Sequence, residues 1–207
     1  MKQQIEEEAK NLVPNYPVRI WELLLILLGA FGLIGTALVG IATKTLTNVL
    51  TPARAEAIAQ SLFEYQIPGG SRGVAGINFG AKNIAIVSSL STPPDVTLFV
   101  SKVPVVQTPD EDLINLGDTL REIFQGDFIP SESTTETAQL CGKTVTVSIQ
   151  SGQQFFDEQT PSVSAIRYLA KIAENGVERN ISIITNGENA YDKATKVFNS
   201  LRCRFEA

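Results

Sequence analysis

Twenty consecutive residues without a charge, Leu23 to Ala42 (LLLILLGAFGLIGTALVGIA), stand apart from the mixed pattern of the rest of the chain. At 1.5 Å per residue they would form a helix of about 30 Å, the thickness of a bilayer's hydrocarbon core. Trp21 lies at one boundary, where an indole favours the interface, and Glu22 and Lys44 are the first charges at the two ends. The pattern predicts a short N-terminal segment 1–19 and a transmembrane helix over 20–43. A cleaved signal peptide competes, because Gly40 and Ala42 have the small-residue spacing of a cleavage site. Glu6, Glu7 and Glu8 precede the span, however, where a signal peptide has a short basic start, and this favours an uncleaved signal-anchor.

Past the span the period shortens. Thr51-Pro52 reads as an N-cap followed by proline at the first helical position, and Ala55, Ile58, Ala59 and Leu62 share one face, so 44–63 is expected to be a connecting helix. From Gly73 the alternation is strict. Ala75, Ile77 and Phe79 form one set, a Gly80-Ala81 break follows, and Asn83 to Leu90 completes a hairpin. A turn at Thr92-Pro93-Pro94-Asp95 leads to a strand over Val96 to Val103. Thr108-Pro109-Asp110-Glu111 then starts an amphipathic helix carrying Leu113, Leu116, Leu120 and Ile123 and ending at Gly126. Lys143 to Gln150 sets Val145, Val147 and Ile149 against Thr144, Thr146 and Ser148, as in a strand with one buried side. Ala165 to Ala173 and Glu178 to Thr185 flank Asn175-Gly176, a hairpin turn sequence. Asn186-Gly187 ends that strand, and a last helix over Asn189 to Leu201 presents Ala190, Ala194, Val197, Phe198 and Leu201. The order β-β-β-α-β-β-β-α, in runs rather than strict alternation, predicts an α+β domain over 64–207, an antiparallel sheet packed with helices.

The opening Phe63-Glu64-Tyr65-Gln66-Ile67-Pro68, this element order, and a final strand then helix ending in Phe198-Asn199-Ser200-Leu201 resemble the PsbP-like α/β/α sandwich. That superfamily includes the extrinsic lumenal subunit of photosystem II and its assembly-factor relatives. The resemblance covers roughly 60–205 and implies a non-enzymatic accessory or assembly role, with a photosynthetic membrane complex as the partner. No binding residue of the family maps onto this chain. Members of the photosystem branch are soluble after processing, whereas this sequence is expected to keep an anchor.

Composition narrows the chemistry. None of the 207 residues is histidine, which removes Ser-His-Asp and Cys-His catalysis and histidine-ligated metals. The net charge is −5; residues 1–50 hold four basic and four acidic groups, leaving 13 basic and 18 acidic beyond them. An acidic domain without a basic block is unsuited to nucleic acid. The mean hydropathy of +0.08 reflects the apolar span. Lys2, Lys10 and Arg19 before the span, against Lys44 and Arg54 after it, lean towards a cytoplasmic N-terminus and an extracytoplasmic domain, periplasmic or lumenal.

Gly32, Thr36 and Gly40 recur every four residues and form a candidate helix–helix contact, for a partner helix or a second copy. Glycine is also simply frequent in membrane helices. Cys141 and Cys203 form a disulfide if the domain lies outside the cytoplasm, or are ordinary thiols. No catalytic, cofactor or metal site is expected. Gly69-Gly70-Ser71-Arg72-Gly73 enters a strand rather than a helix, unlike a phosphate loop. Asp110, Glu111 and Asp112 suit a helix's first turn, and Asp127, Asp157 and Glu158 lack metal-ligand spacing. Pro130 to Gln139 (PSESTTETAQ) reads as a mobile loop or an edge. Two functions follow: an anchored accessory protein that binds a protein partner, or an anchored small-ligand or lipid module with an apolar pocket.

Overall fold

Proline sets the boundary between the first two elements. The computed structural model describes residues 19–105, 127–156 and 161–204; helix α1 spans Ile20–Val49 and helix α2 spans Pro52–Leu62. No proline lies between Gly40 and Leu50, so α1 runs past the expected end at residue 43. Thr51, the residue before Pro52, is forced out of the helical region and is extended, with φ −76° and ψ 113°. The expected Thr51 cap is not made. Its hydroxyl donates back to the Thr47 carbonyl at 2.7 Å, a local bond open to a threonine that follows a helical turn.

The chain divides into two units, Met1–Thr45 and Leu46–Ala207. In the first, residues Ile20–Gly40 of α1 are long and apolar enough to cross a membrane. Apolar side chains cover this helix all round, with Leu28 and Leu33 74% exposed and Phe31 71% exposed.

The second unit is built on two antiparallel sheets. Seven strands, β2 (Ser71–Phe79), β3 (Lys82–Ser89), β4 (Val96–Pro104), β5 (Asp127–Leu140), β6 (Lys143–Phe155), β7 (Val163–Glu174) and β8 (Val177–Asn186), pair in the order β2-β3-β4-β8-β7-β6-β5. The paired neighbours β4 and β8 come from opposite halves of the chain, with Leu98 opposite Ile183 and Val100 opposite Ile181. Two short strands, β1 (Phe63–Glu64) and β9 (Arg202–Cys203), form the second sheet, and helix α3 (Ala190–Ser200) lies between β8 and β9. This is the expected α+β class.

One core joins helices α2 and α3 to one face of the sheet. Ile58, Ala59 and Leu62 of α2 and Ala194, Val197 and Phe198 of α3 cluster with Val87, Leu98, Val147 and Ile183. The α2 stripe read from the sequence is buried at all four positions, Ala55, Ile58, Ala59 and Leu62. A smaller cluster of Ala75, Ile84, Ile86 and Phe99 lies on the alternate residues of β2, β3 and β4, which point to the opposite face. The amphipathic helix expected over Thr108 to Gly126 lies outside the described residues.

The stretch from Pro130 to Gln139 is a strand and not a loop. It is the body of β5, an edge strand whose residues are exposed except Phe128, Ala138 and Leu140. Its ladder with β6 pays the backbone hydrogen bonds that its polar side chains leave aside, and a register shift between Pro130 and Glu132 absorbs the proline.

Helix α2 lies close against the β2 backbone. A β-carbon on Gly76 would stand 2.6 Å from the Ala55 α-carbon, and one on Gly73 would meet the Pro52 carbonyl oxygen. Gly76→Ala is therefore expected to lower stability by about 1–3 kcal/mol through overpacking, read as a lower denaturation midpoint of the full chain in lipid nanodiscs.

Candidate functional site

Two features of the domain stand out beyond its core: a covalent clasp and an open cleft.

The clasp gathers three remote segments. Phe63 pairs with Cys203 and Glu64 with Arg202. Cys203 is disulfide-bonded to Cys141, with 5.2 Å between the α-carbons and a sequence separation of 62. Cys141 (φ 55°) and Gly142 (φ 75°) are the two turn residues between β5 and β6, the left-handed pair that a tight hairpin requires. The two segments quoted for the PsbP-like resemblance also meet here. The Gln66 N–H donates to Ser200 Oγ at 2.9 Å, the Arg204 N–H donates to the Leu62 carbonyl at 3.2 Å, and Arg204 Nη2 lies 3.2 Å from Glu64 Oε1.

The cleft follows from a mismatch of lengths. Helix α3 has 11 residues, about 16 Å, while the 12 residues of β7 extend about 40 Å. The ends of β6 and β7 therefore run on past the helix. The space left is an open cleft of about 480 Å³, with Ser151, Gln153 and Ser164 on the sheet side and Asn189, Tyr191 and Asp192 on the first turn of α3. The Ser131 hydroxyl, at the β5 bulge, donates to the Ser151 carbonyl at 3.1 Å and closes the rim.

A polar network fixes the α3 end of this cleft. Asp95 accepts hydrogen bonds from Ser89 and Ser91 at 2.7 Å each and pairs with Lys193 Nζ at 2.7 Å. Lys193 also donates to the Asn186 carbonyl at 3.2 Å, and Asn186 Nδ2 donates to Pro94 O and to Gln154 Oε1, both at 3.0 Å. The turn between β3 and β4, the end of β8, β6 and α3 are thus tied at one point. Burial alone would raise the Asp95 pKa, but the hydrogen bonds from Lys193, Ser91 and Ser89 and the Lys193 charge outweigh it and lower the pKa to about 2. Tyr168, whose hydroxyl lies 3.0 Å from Thr195 Oγ1, is pushed up to about 12, chiefly by burial. It stays neutral at physiological pH.

Of the residues singled out in the sequence, Gly32, Thr36 and Gly40 lie in α1, each of the two glycines with open space where a side chain would stand. The Thr36 hydroxyl donates to the Gly32 and Leu33 carbonyls of its own helix, both at 3.0 Å. Gly69 and Gly70 form a turn at positive φ, and Ser71 to Gly73 enter β2 as expected. Asp127 begins β5, while Asp110, Glu111, Asp112, Asp157 and Glu158 lie outside the described residues. Among the described residues no group of three or more Cys, Asp or Glu side chains could hold a metal ion. The cleft residues were not anticipated. Their only sequence signal is Asn189 at a helix start, since scattered serines and glutamines on strands carry no period.

No family model and no curated protein sequence matches the chain. Solved structures similar to it include a protein from Bacteroides thetaiotaomicron VPI-5482, 12% identical with a TM-score of 0.39, over 70% of this chain and 46% of that one. The chain thus spans about half the length of the Bacteroides protein. LpqN, involved in cell envelope biogenesis of Mycobacterium tuberculosis, is 10% identical with a TM-score of 0.33, over 72% of this chain and 95% of LpqN. Cyanobacterial PsbP (CyanoP) from Synechocystis sp. PCC 6803 is 12% identical with a TM-score of 0.33, over 70% and 94%. These are likenesses of fold at low TM-score, and no residue role is taken from them.

Two stability measurements check the network and the clasp. Cys203→Ser is expected to cost about 4 kcal/mol in the chain-entropy treatment of a 62-residue loop, seen as a lower denaturation midpoint that the reduced parent protein shares. Because the folded Asp95 pKa lies below its ordinary 3.8, its contribution is present above about pH 4 and is lost as the pH falls towards 2. Asp95→Asn should flatten the acid limb of the stability–pH curve in that window, and an unchanged limb would show that other carboxylates set it.

Proposed function

We propose that the chain is a single-pass membrane protein whose C-terminal domain stands outside the cytoplasm and holds a protein partner, as an accessory or assembly factor of a membrane complex. The observation that carries this reading is α1, a 30-residue helix with outward-facing apolar side chains, separated from α2 only by Leu50 and Thr51. Lipid is the environment in which such a surface is stable. The Cys141–Cys203 disulfide supports an oxidising compartment for the domain.

Gly32, Thr36 and Gly40 offer a seam for a partner helix or a second copy. Because the Thr36 hydroxyl is already engaged within α1, that seam would act through close backbone approach rather than through an interhelical hydrogen bond. A holding role also suits a domain whose perturbed groups serve structure: Asp95 ties α3 to the sheet, and Tyr168 braces Tyr191 and Phe198, each ring centroid 6.0 Å away. A lipid-binding module has less support, since the cleft is open and mixes hydroxyl and amide groups with the apolar Ala165, Ile166 and Ala190 rather than forming an enclosed apolar wall.

Topology and association are tested separately. In sealed vesicles of known orientation, a membrane-impermeant maleimide should label Cys141 and Cys203 only after reduction; labelling that requires permeabilised membranes places the domain on the cytoplasmic side. Affinity purification of the full chain from gently solubilised membranes should recover a stoichiometric partner protein. Recovery only as a free monomer would overturn the partner reading while leaving the topology result intact.

A further inference from the structure

We infer that the cleft between the ends of β6 and β7 and the first turn of α3 binds a neutral polyhydroxylated ligand, a short oligosaccharide. The inference does not rest on the partner reading, because the cleft belongs to the domain alone.

Volume comes first. At about 480 Å³ the cleft falls within the range of small-molecule sites, about 300–1,000 Å³. Its chemistry then separates ligand classes. Ser131, Ser151 and Ser164 bring hydroxyls and Gln153 and Asn189 bring amides; Ser131 already donates to the Ser151 carbonyl and Gln153 Nε2 to Ser164 Oγ at 3.4 Å, which leaves their remaining donor and acceptor positions to a ligand. The rest of the lining includes Ala165, Ile166 and Ala190, so a wholly apolar ligand would match part of the wall but strip water from the polar groups and return nothing for it. No lining residue among those described is cationic, and the single charge is the carboxylate of Asp192. Lys193, next in sequence, is drawn to Asp95 and the Asn186 carbonyl. A phosphate or carboxylate would therefore meet Asp192 with no side-chain cation to offset it, and the partial charge of one helix end is a weak substitute. A sugar offers the complement: hydroxyls that accept and donate, and a C–H face.

Two residues are arranged for such a ligand. Asn189 occupies the cap position of α3 in the left-handed region, with φ 55° and ψ 33°, and its side chain makes no capping hydrogen bond to the helix. The usual task of a cap residue is left undone, and the amide stays available at the cleft. Tyr191 is 48% exposed, and its ring is braced edge-on by Tyr168 at 6.0 Å and 66°. A braced, half-exposed aromatic ring is a stacking surface whose order is already supplied by the fold.

The test uses the full chain in lipid nanodiscs and saturation-transfer difference NMR, with maltotriose, cellotriose and chitotriose as neutral probes and inorganic phosphate as competitor. At least one trisaccharide should receive saturation, and phosphate should not displace it. Tyr191→Ala and Asn189→Gly should each weaken that binding by about tenfold, and Tyr191→Phe should restore it. Glycine adopts a φ of 55° without strain, so Asn189→Gly keeps the backbone and remains informative if Tyr191→Ala fails to fold. Absence of saturation transfer from all three trisaccharides overturns the inference. So does binding that neither Tyr191→Ala nor Asn189→Gly alters, or binding that phosphate displaces.

Discussion

The contact between Phe63–Glu64 and Arg202–Cys203 is only two residues long, yet the order of the domain's periphery depends on it. A two-residue antiparallel pair is too short to persist alone in water. Here the disulfide to Cys141 supplies what the backbone ladder lacks, by removing open conformations that the unfolded chain would otherwise explore. With this pair closed, Leu62, Phe63, Leu140 and Leu201 are brought into the core, each at most 2% exposed. The end of α2, the tip of the β5–β6 hairpin and the exit from α3 are then held relative to one another, although they come from distant parts of the sequence.

Among the described residues, helices α2 and α3 are distributed over one wide sheet. Helix α2 can lie against β2 only because Gly73 and Gly76 leave room for its backbone, so that side of the sheet is closely covered. Helix α3 is shorter than the strands it covers, and its first turn is pinned by Asp95 and Lys193 rather than by a capping side chain. The result is close packing at one end of the sheet and an open polar recess at the other. The polar recess needs no cavity in the core: residues from Val96 to Val100 and from Ile181 to Ile184 remain buried beneath both helices and across the sheet.

The parts of this fold that were legible in the sequence are those where burial follows a simple period. The α2 stripe, the alternation of Val145, Val147 and Ile149, and the Asn175-Gly176 turn all appear where the pattern places them. Strand β5 was legible only as one of two alternatives, a mobile loop or an edge, because an edge strand exposed on both sides has no reason to alternate; the structure takes the second. The threonines at 134, 135 and 137 are strand-favouring residues and were the available signal, masked by Pro130 and by the overall polarity. Thr51 misled in the other direction, since the dipeptide that suggests a cap also permits a hydroxyl to bond backwards to Thr47. The cleft could not be read at all. It arises from the relative lengths of a helix and two strands, a property of the assembled layers rather than of any segment.

The exposed edge of β5 acquires a particular meaning under the membrane-anchored reading proposed above. Confinement to a plane raises the local concentration of neighbouring domains far above that of freely diffusing ones, so unpaired strand edges meet often. An open, flat edge under those conditions would invite strand-to-strand growth from one copy to the next. On β5, Pro130 removes a donor, the adjacent register shift bends the ladder, and Asp127, Glu132 and Glu136 bring like charges to any approaching copy of the same edge. The strand whose sequence reads as a loop or an edge thus carries a proline, a bulge and three carboxylates, each unfavourable to edge-to-edge pairing.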